Sequence, residues 1–269
     1  MKVLVTSQTG FVVSQLREVL AVFRDRIEPF FISYAHLLTE SNVANGVYDV
    51  LLDIGSPTPL NSDNYAETYR LHVNNVTRLH SCVTFKKVYF LSSVTVFGDE
   101  PRYVNENTQI SISSPYAEMK ARVENVHRNC CTNVTTHFLS GMLGKSMPNT
   151  FLRRCIEACF SNQEPLITHA NSLFNGCYPV EMYCRYLLNL LISENKFVDP
   201  SEIIFSHTPM SWSDIYMLIC KELGKDIELK NPTVQESVMR NPLFESLTFK
   251  PVCSVSESVV YATKCLSKT

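Results

Sequence analysis

Short runs of β-branched and aromatic residues alternate along the chain with stretches whose apolar positions recur every three or four residues. Lys2 to Thr6 (KVLVT) is short and β-branched, a buried strand by composition. Val12, Leu16, Val19, Leu20 and Phe23 follow on one helical face. Pro29 to Ser33 (PFFIS), Asp49 to Asp53 (DVLLD), Lys87 to Ser92 (KVYFLS), Thr135 to Leu139 and Glu202 to Ser206 (EIIFS) read as five further strands. A helical pattern runs from about Tyr65 to Val83, and Ser114-Pro115 opens another helix, with Ser at the cap and Pro at the first helical position. This alternation implies βαβ units and a mostly parallel sheet, and right-handed crossovers make it a doubly wound Rossmann-type α/β fold.

Past about residue 141 the pattern loosens, broken by Pro148, Pro165, Pro179, Pro209, Pro232, Pro242 and Pro251. The expected division is a dinucleotide-binding domain at 1–140, rejoined by about 180–207, with a smaller, partly discontinuous substrate lobe at 141–179 and 208–269. The length of 269 residues suits one large domain or two small ones. A net charge of −2 leaves no cationic excess to hold a polyanion, so nucleic acid is not an expected partner. With 45% hydrophobic and 19% charged residues the chain can bury a core. No apolar run approaches the ~20 residues that span a bilayer, and Lys2 to Thr6 is too short for a signal-peptide apolar region. The ten cysteines include no CxxC pair, which fits reduced, mostly buried thiols in a cytoplasmic protein. No metal site is expected. Cys155 and Cys159 have no matching ligand pair, and the seven histidines, His72 and His80 among them, read as solvated or capped.

Three places carry candidate chemistry. Between the first strand and its helix, Thr6-Ser7-Gln8-Thr9-Gly10-Phe11-Val12-Val13 stands where a dinucleotide fold puts its phosphate turn. Only Gly10 of the three expected glycines is present, with Ser7 and Val13 at the other two positions. Strand two ends in Ile32-Ser33-Tyr34, without the acid that would bind the ribose hydroxyls of NAD or the Arg that would favour NADP, so the sequence does not choose. Tyr116 and Lys120 lie four apart on one helix, a rise of roughly 6 Å, downstream of Ser92-Ser93 at the end of a strand. A phenol has a pKa near 10, and a neighbouring ammonium favours the phenolate and lowers it. Tyr116 then suits general acid–base work on a hydroxyl or carbonyl, with Ser93 holding the same oxygen.

Taken together these segments resemble an extended short-chain dehydrogenase/reductase, of the NAD-dependent epimerase/dehydratase family that modifies sugar nucleotides. The resemblance runs through Lys2 to Leu16, Asp49 to Pro57, His72-Val-Asn-Asn75, Ser92 to Gly98, Ser114-Pro-Tyr-Ala-Glu-Met-Lys120, and Ser211-Trp212 to Gly224. It implies hydride exchange through a bound NAD or NADP, with Ser93, Tyr116 and Lys120 as the catalytic set. Cofactor contacts are implied at Gly10, Phe11, Val12, Ser33, Gly55, Ser56, Asn74, Tyr116 and Lys120. A nucleotide-sugar substrate, a role in polysaccharide synthesis and a homodimer through the long helices near 65–83 and 115–128 are implied in the same way.

The family's 4,6-dehydratases carry Thr-Asp-Glu where this chain has Ser93-Val94-Thr95, without a carboxylate. The expected activity is therefore 4-keto-sugar reduction or 4-epimerisation, with reduction favoured because depleted glycines suit a cofactor that is only borrowed. The same departures agree with a rival reading, a catalytically silent nucleotide-sensing or scaffold relative. Retention of Ser93, Tyr116 and Lys120 together argues against it.

Overall fold

The computed structural model describes residues 1–37, 46–57, 65–163, 167, 170–193, 200–225 and 242–267; Pro165, His169 and Pro232 lie outside them. The elements run β1 (Lys2–Val5), α1 (Phe11–Ala21), β2 (Glu28–Phe31), α2 (Tyr34–Leu37), β3 (Val47–Asp53), α3 (Tyr65–Cys82) and β4 (Thr84–Ser93). After a 3-10 turn at Val94–Phe97 come β5 (Tyr103–Val104), α4 (Pro115–Cys130), β6 (Val134–Leu139), β7 (Gly141–Leu143) and α5 (Phe151–Phe160). The chain continues through β8 (Leu173–Phe174), β9 (Cys177–Pro179), α6 (Val180–Ile192), β10 (Ser201–Ile204), β11 (Met210–Ser211), α7 (Trp212–Glu222), β12 (Leu243–Phe244) and α8 (Val255–Ser267).

Six strands form one sheet in the order β10-β6-β4-β3-β1-β2. The pairs β1 with β2, β1 with β3, β3 with β4 and β4 with β6 are all parallel. The chain steps outward from β1 to β2 and then returns to the other side of β1 with β3. That reversal is a topological switch point, and in open α/β sheets the crevice beyond the strand ends at such a point is where ligands bind. Leu4, Leu51, Val88 and Phe90 of the sheet pack with Tyr69, Val76 and Leu79 of α3 and Met119 and Val123 of α4. Ser114 caps α4 as its sequence requires, its side chain accepting from Ala117 N at 3.2 Å.

Two compact units emerge. The first comprises 1–98, 109–139 and 184–202; the second comprises 99–108, 140–183 and 203–269. Segment 99–108 joins the second unit because β5 pairs with β12. Within that unit β7 pairs with β9, β8 with β11, and Trp212 stacks on Phe174 at 4.4 Å. All ten cysteines are free thiols. Strands of two or three residues such as β5, β8 and β12 carry no readable periodicity, which is why the sequence pattern shows only the six longer ones.

Candidate functional site

At the switch point a groove of about 390 Å³ opens, lined by Thr6–Thr9, Ser33, Tyr34, Gly55–Pro57, Thr68, Leu71, His72 and Asn75. Its floor is where β1 meets the loop after β3. Thr6 Oγ1 accepts from the backbone N–H of Ile54 and of Gly55, both at 3.1 Å. A Cβ on Gly55 would lie 1.7 Å from the Thr6 carbonyl oxygen, so only glycine permits this approach. Gly10 forms the entry to α1 with φ of 115°, a conformation that L side chains rarely adopt. Val13 is buried at 1% exposure, so it packs into the fold where a third glycine was expected.

Beneath the groove lies Asp53, 1% exposed. Its Oδ1 accepts from Thr6 Oγ1 at 2.6 Å and from the Tyr34 hydroxyl at 2.8 Å; its Oδ2 pairs with His127 Nε2 at 2.8 Å. His127 Nδ1 in turn meets His80 Nε2 at 2.8 Å. Burial works against the Asp53 carboxylate, but the hydrogen bond and charge of His127 outweigh it and hold the carboxyl well below its ordinary value. Burial, with the Asp53 charge behind it, pushes the Tyr34 phenol up. The expectation of solvated or capped histidines fails here: His127 is fully buried and His72 is 5% exposed, because a core carboxylate gives the cluster a charge partner. The signal available in the sequence was an acid closing the apolar run DVLLD.

Burial pushes both His72 and His80 down to about 4, so both are neutral in the folded chain and protonate near 6.5 in the unfolded one. A folded value below the unfolded one gives stability that is complete above pH 6.5 and declines from there toward pH 4. The melting temperature should therefore fall across that window, and thermal melts of a His80→Gln variant should show a shallower fall. An unchanged slope would place the titration elsewhere.

The expected catalytic set lies on β4 and α4. Lys120 is 3% exposed, and its Nζ donates to Ser56 Oγ at 2.6 Å and to the Leu91 carbonyl at 2.7 Å. That nitrogen sits 5.8 Å from the centre of the Tyr116 ring. Ser93 ends β4, two residues beyond Leu91, and its Oγ accepts from Thr95 N at 3.3 Å and Thr95 Oγ1 at 3.1 Å. The expectation that Lys120 lowers the Tyr116 pKa is corrected. Burial dominates and pushes the phenol up to about 12, with only the Ser56 hydrogen bond acting downward. Burial likewise pushes Lys120 down to about 8, opposed by the Asp53 charge.

Of the residues expected at a cofactor, Ser33, Gly55 and Ser56 line the groove, while Gly10, Phe11 and Val12 open α1 beside it. Asn74 is exposed and is not among the lining residues; helical rotation brings the next residue, Asn75, there instead. His72, missed from the sequence, also lines the groove, and its buried Nε2 has no partner. Arg17, likewise missed, lies 3.8 Å over the Phe31 ring at the end of β2 and donates to the Gln8 carbonyl at 3.1 Å.

Residues 45–164 match the model of the NAD dependent epimerase/dehydratase family. That segment belongs to this family. No curated protein sequence matches the chain. Among solved structures, UDP-glucuronic acid 4-epimerase from Bacillus cereus in complex with NAD is similar with a TM-score of 0.78 at 15% identity, covering 100% of this chain and 99% of that one. A dTDP-4-dehydrorhamnose reductase from Clostridium acetobutylicum gives 0.70 at 15% identity, covering 98% and 99%. The dTDP-glucose 4,6-dehydratase from Bacillus anthracis, in complex with NAD, gives 0.70 at 13% identity, covering 100% and 97%. The epimerase/dehydratase fold thus extends over the whole chain, beyond the matched segment.

Proposed function

We propose that the chain is an NAD(P)-dependent oxidoreductase acting on a nucleotide-activated sugar, and that it reduces a 4-keto group. One observation carries this reading: Ser56 lines the groove while its hydroxyl takes the Lys120 hydrogen bond, so the lysine of the proposed catalytic set is tied to the groove wall. The groove also fits a dinucleotide on its own terms. It has the size of a cofactor cleft, a floor that only Gly55 permits, and an orphaned imidazole nitrogen on His72. The N–H groups at the start of α1 suit a pyrophosphate.

Bound there, the dinucleotide supplies a hydride acceptor or donor. The chain's own residues do the rest. Tyr116 gives a proton to the substrate oxygen during reduction, and its value of about 12 keeps it in the acid form that this task requires. In this reading the Ser93 hydroxyl donates to the same oxygen. Val94 and Thr95 stand where a dehydratase carries carboxylates, which supports reduction or epimerisation over water loss. Between those two, Val13 at the third glycine position favours a cofactor that exchanges each turnover, hence reduction.

The rim of the groove at β2 carries Arg17 over Phe31 and the Ser33 hydroxyl, and no carboxylate is found among the described residues lining the groove. A ribose 2′-phosphate would meet a cation there. NADPH should accordingly bind at least about tenfold more tightly than NADH, as read by fluorescence or calorimetric titration, with the preference lost in Arg17→Ala. Binding of neither dinucleotide at millimolar concentration would hand the case to a silent relative. Stoichiometric consumption of NADPH with a 4-keto sugar nucleotide separates reduction from epimerisation, which leaves its concentration unchanged.

A further inference from the structure

We infer that His127 is a positioning residue for the dinucleotide groove, acting through Asp53 on the Thr6 hydroxyl and the loop after β3. This deepens the proposed function and rests on it. His127 is fully buried and is not among the residues lining the groove, so it touches no ligand there. Its Nε2 meets Asp53 Oδ2 at 2.8 Å, and an ionised carboxylate only accepts, so the imidazole is the donor. Burial opposes the charged carboxylate, and His127 more than offsets it, which keeps Asp53 an acceptor. The other ring nitrogen meets His80 Nε2 at 2.8 Å, so the ring is held at both ends.

A hydroxyl has one hydrogen and two lone pairs. Thr6 gives its hydrogen to Asp53 Oδ1 at 2.6 Å, which turns its lone pairs toward the N–H groups of Ile54 and Gly55, both at 3.1 Å. The acceptor on Asp53 therefore fixes how the loop sits on β1. A protonated or displaced carboxyl would let the hydroxyl turn, and one of those N–H bonds would be lost. The loop has no slack to absorb the change, because a Cβ on Gly55 would lie 1.7 Å from the Thr6 carbonyl oxygen. The same Oδ1 takes the Tyr34 hydroxyl at 2.8 Å, so a second groove-lining residue depends on this carboxylate.

Helix geometry places this control on α4. Lys120 and His127 are about two turns apart on one face of that helix. The Lys120 nitrogen and the His127 ring lie 5.1 and 5.2 Å from the centre of the Phe90 ring. Lys120 holds Ser56 and His127 holds Asp53, so one helix grips both ends of the segment 53–56.

In the full chain, His127→Phe keeps a flat ring and removes the donor, whereas His127→Gln keeps an N–H near the same place. Without cofactor, amide exchange of Ile54 and Gly55 should speed up about tenfold in His127→Phe while the β4 amides keep their protection. His127→Gln should stay near the wild type. NADPH affinity should fall about tenfold in His127→Phe, about tenfold in Thr6→Val, and about tenfold again in the double variant, because both break one chain of contacts. A uniform rise in exchange across β4 and the loop, with affinity unchanged, would mean that His127 only stabilises the fold, and the inference falls. Wild-type protein gives a check that needs no variant. NADPH should shift the His127 Nε2 proton in the NMR spectrum, and an unmoved signal overturns the positioning role. If neither NADPH nor NADH binds, the oxidoreductase reading falls, while the exchange rates of Ile54 and Gly55 still decide whether His127 sets the loop.

Discussion

Replacing Tyr116 by Phe should lower turnover about 10³-fold or more while leaving dinucleotide affinity within about twofold. The change removes one oxygen and leaves the ring, so its packing in the core between α3 and α4, including the 6.2 Å approach to the Tyr69 ring, is preserved. What is lost is the proton that the substrate oxygen needs, and general acid catalysis contributes about 10²- to 10⁴-fold. Parallel measurement of kcat and of dinucleotide binding checks it. Loss of binding with retained turnover would mean that Tyr116 shapes the groove and another group supplies the acid. Lys120→Met should behave differently, weakening both turnover and binding, because Lys120 ties α4 to Ser56 and to β4 together.

Asp53→Ala should cost about 3–5 kcal/mol of stability, the range seen when one member of a buried charge pair is removed. Thr6, Tyr34 and His127 all direct a hydrogen-bonding group at this carboxylate, and each would be left unsatisfied in a site that is 1% exposed. Asp53→Asn keeps the shape and should cost less. Denaturant unfolding at pH 7 measures both, and a loss below about 1 kcal/mol for the alanine variant would show that the cluster adds little. The pH dependence has a definite sign. The carboxyl is held below its unfolded value near 3.9, so its contribution is complete above that pH and is lost as pH falls toward the folded value. In a fall from neutrality the histidine window between pH 6.5 and 4 comes first, and the Asp53 loss follows below it.

Both effects begin in residues that differ in how visible they are along the chain. Tyr116 and Lys120 stand four apart behind a Ser-Pro helix start, so their shared face follows from helical geometry alone. Asp53 and His127 are 74 positions apart, and nothing local marks them as partners. Asn74 shows the same limit at smaller scale: both Asn74 and Asn75 fit the motif, and only the rotation of α3 against the groove selects the second. The pKa of Tyr116 is a third case. Charge proximity can be read from a four-residue spacing, whereas burial depends on what α3 and β4 pack around the ring, and here burial is the larger effect.

By itself the amino-acid order determined the alternation of strands and helices, the doubly wound sheet, the cap of α4 and the presence of a serine, a tyrosine and a lysine at the ends of neighbouring elements. These are local or periodic properties, set within one turn of helix or one strand. Tertiary structure alone decided that Lys120 donates to Ser56 at the groove wall, that Arg17 reaches the end of β2, and that Asp53 gathers Thr6, Tyr34 and His127 beneath the groove. Such contacts join positions far apart in the chain, and only the packing of the sheet against α1, α3 and α4 brings them within hydrogen-bonding distance.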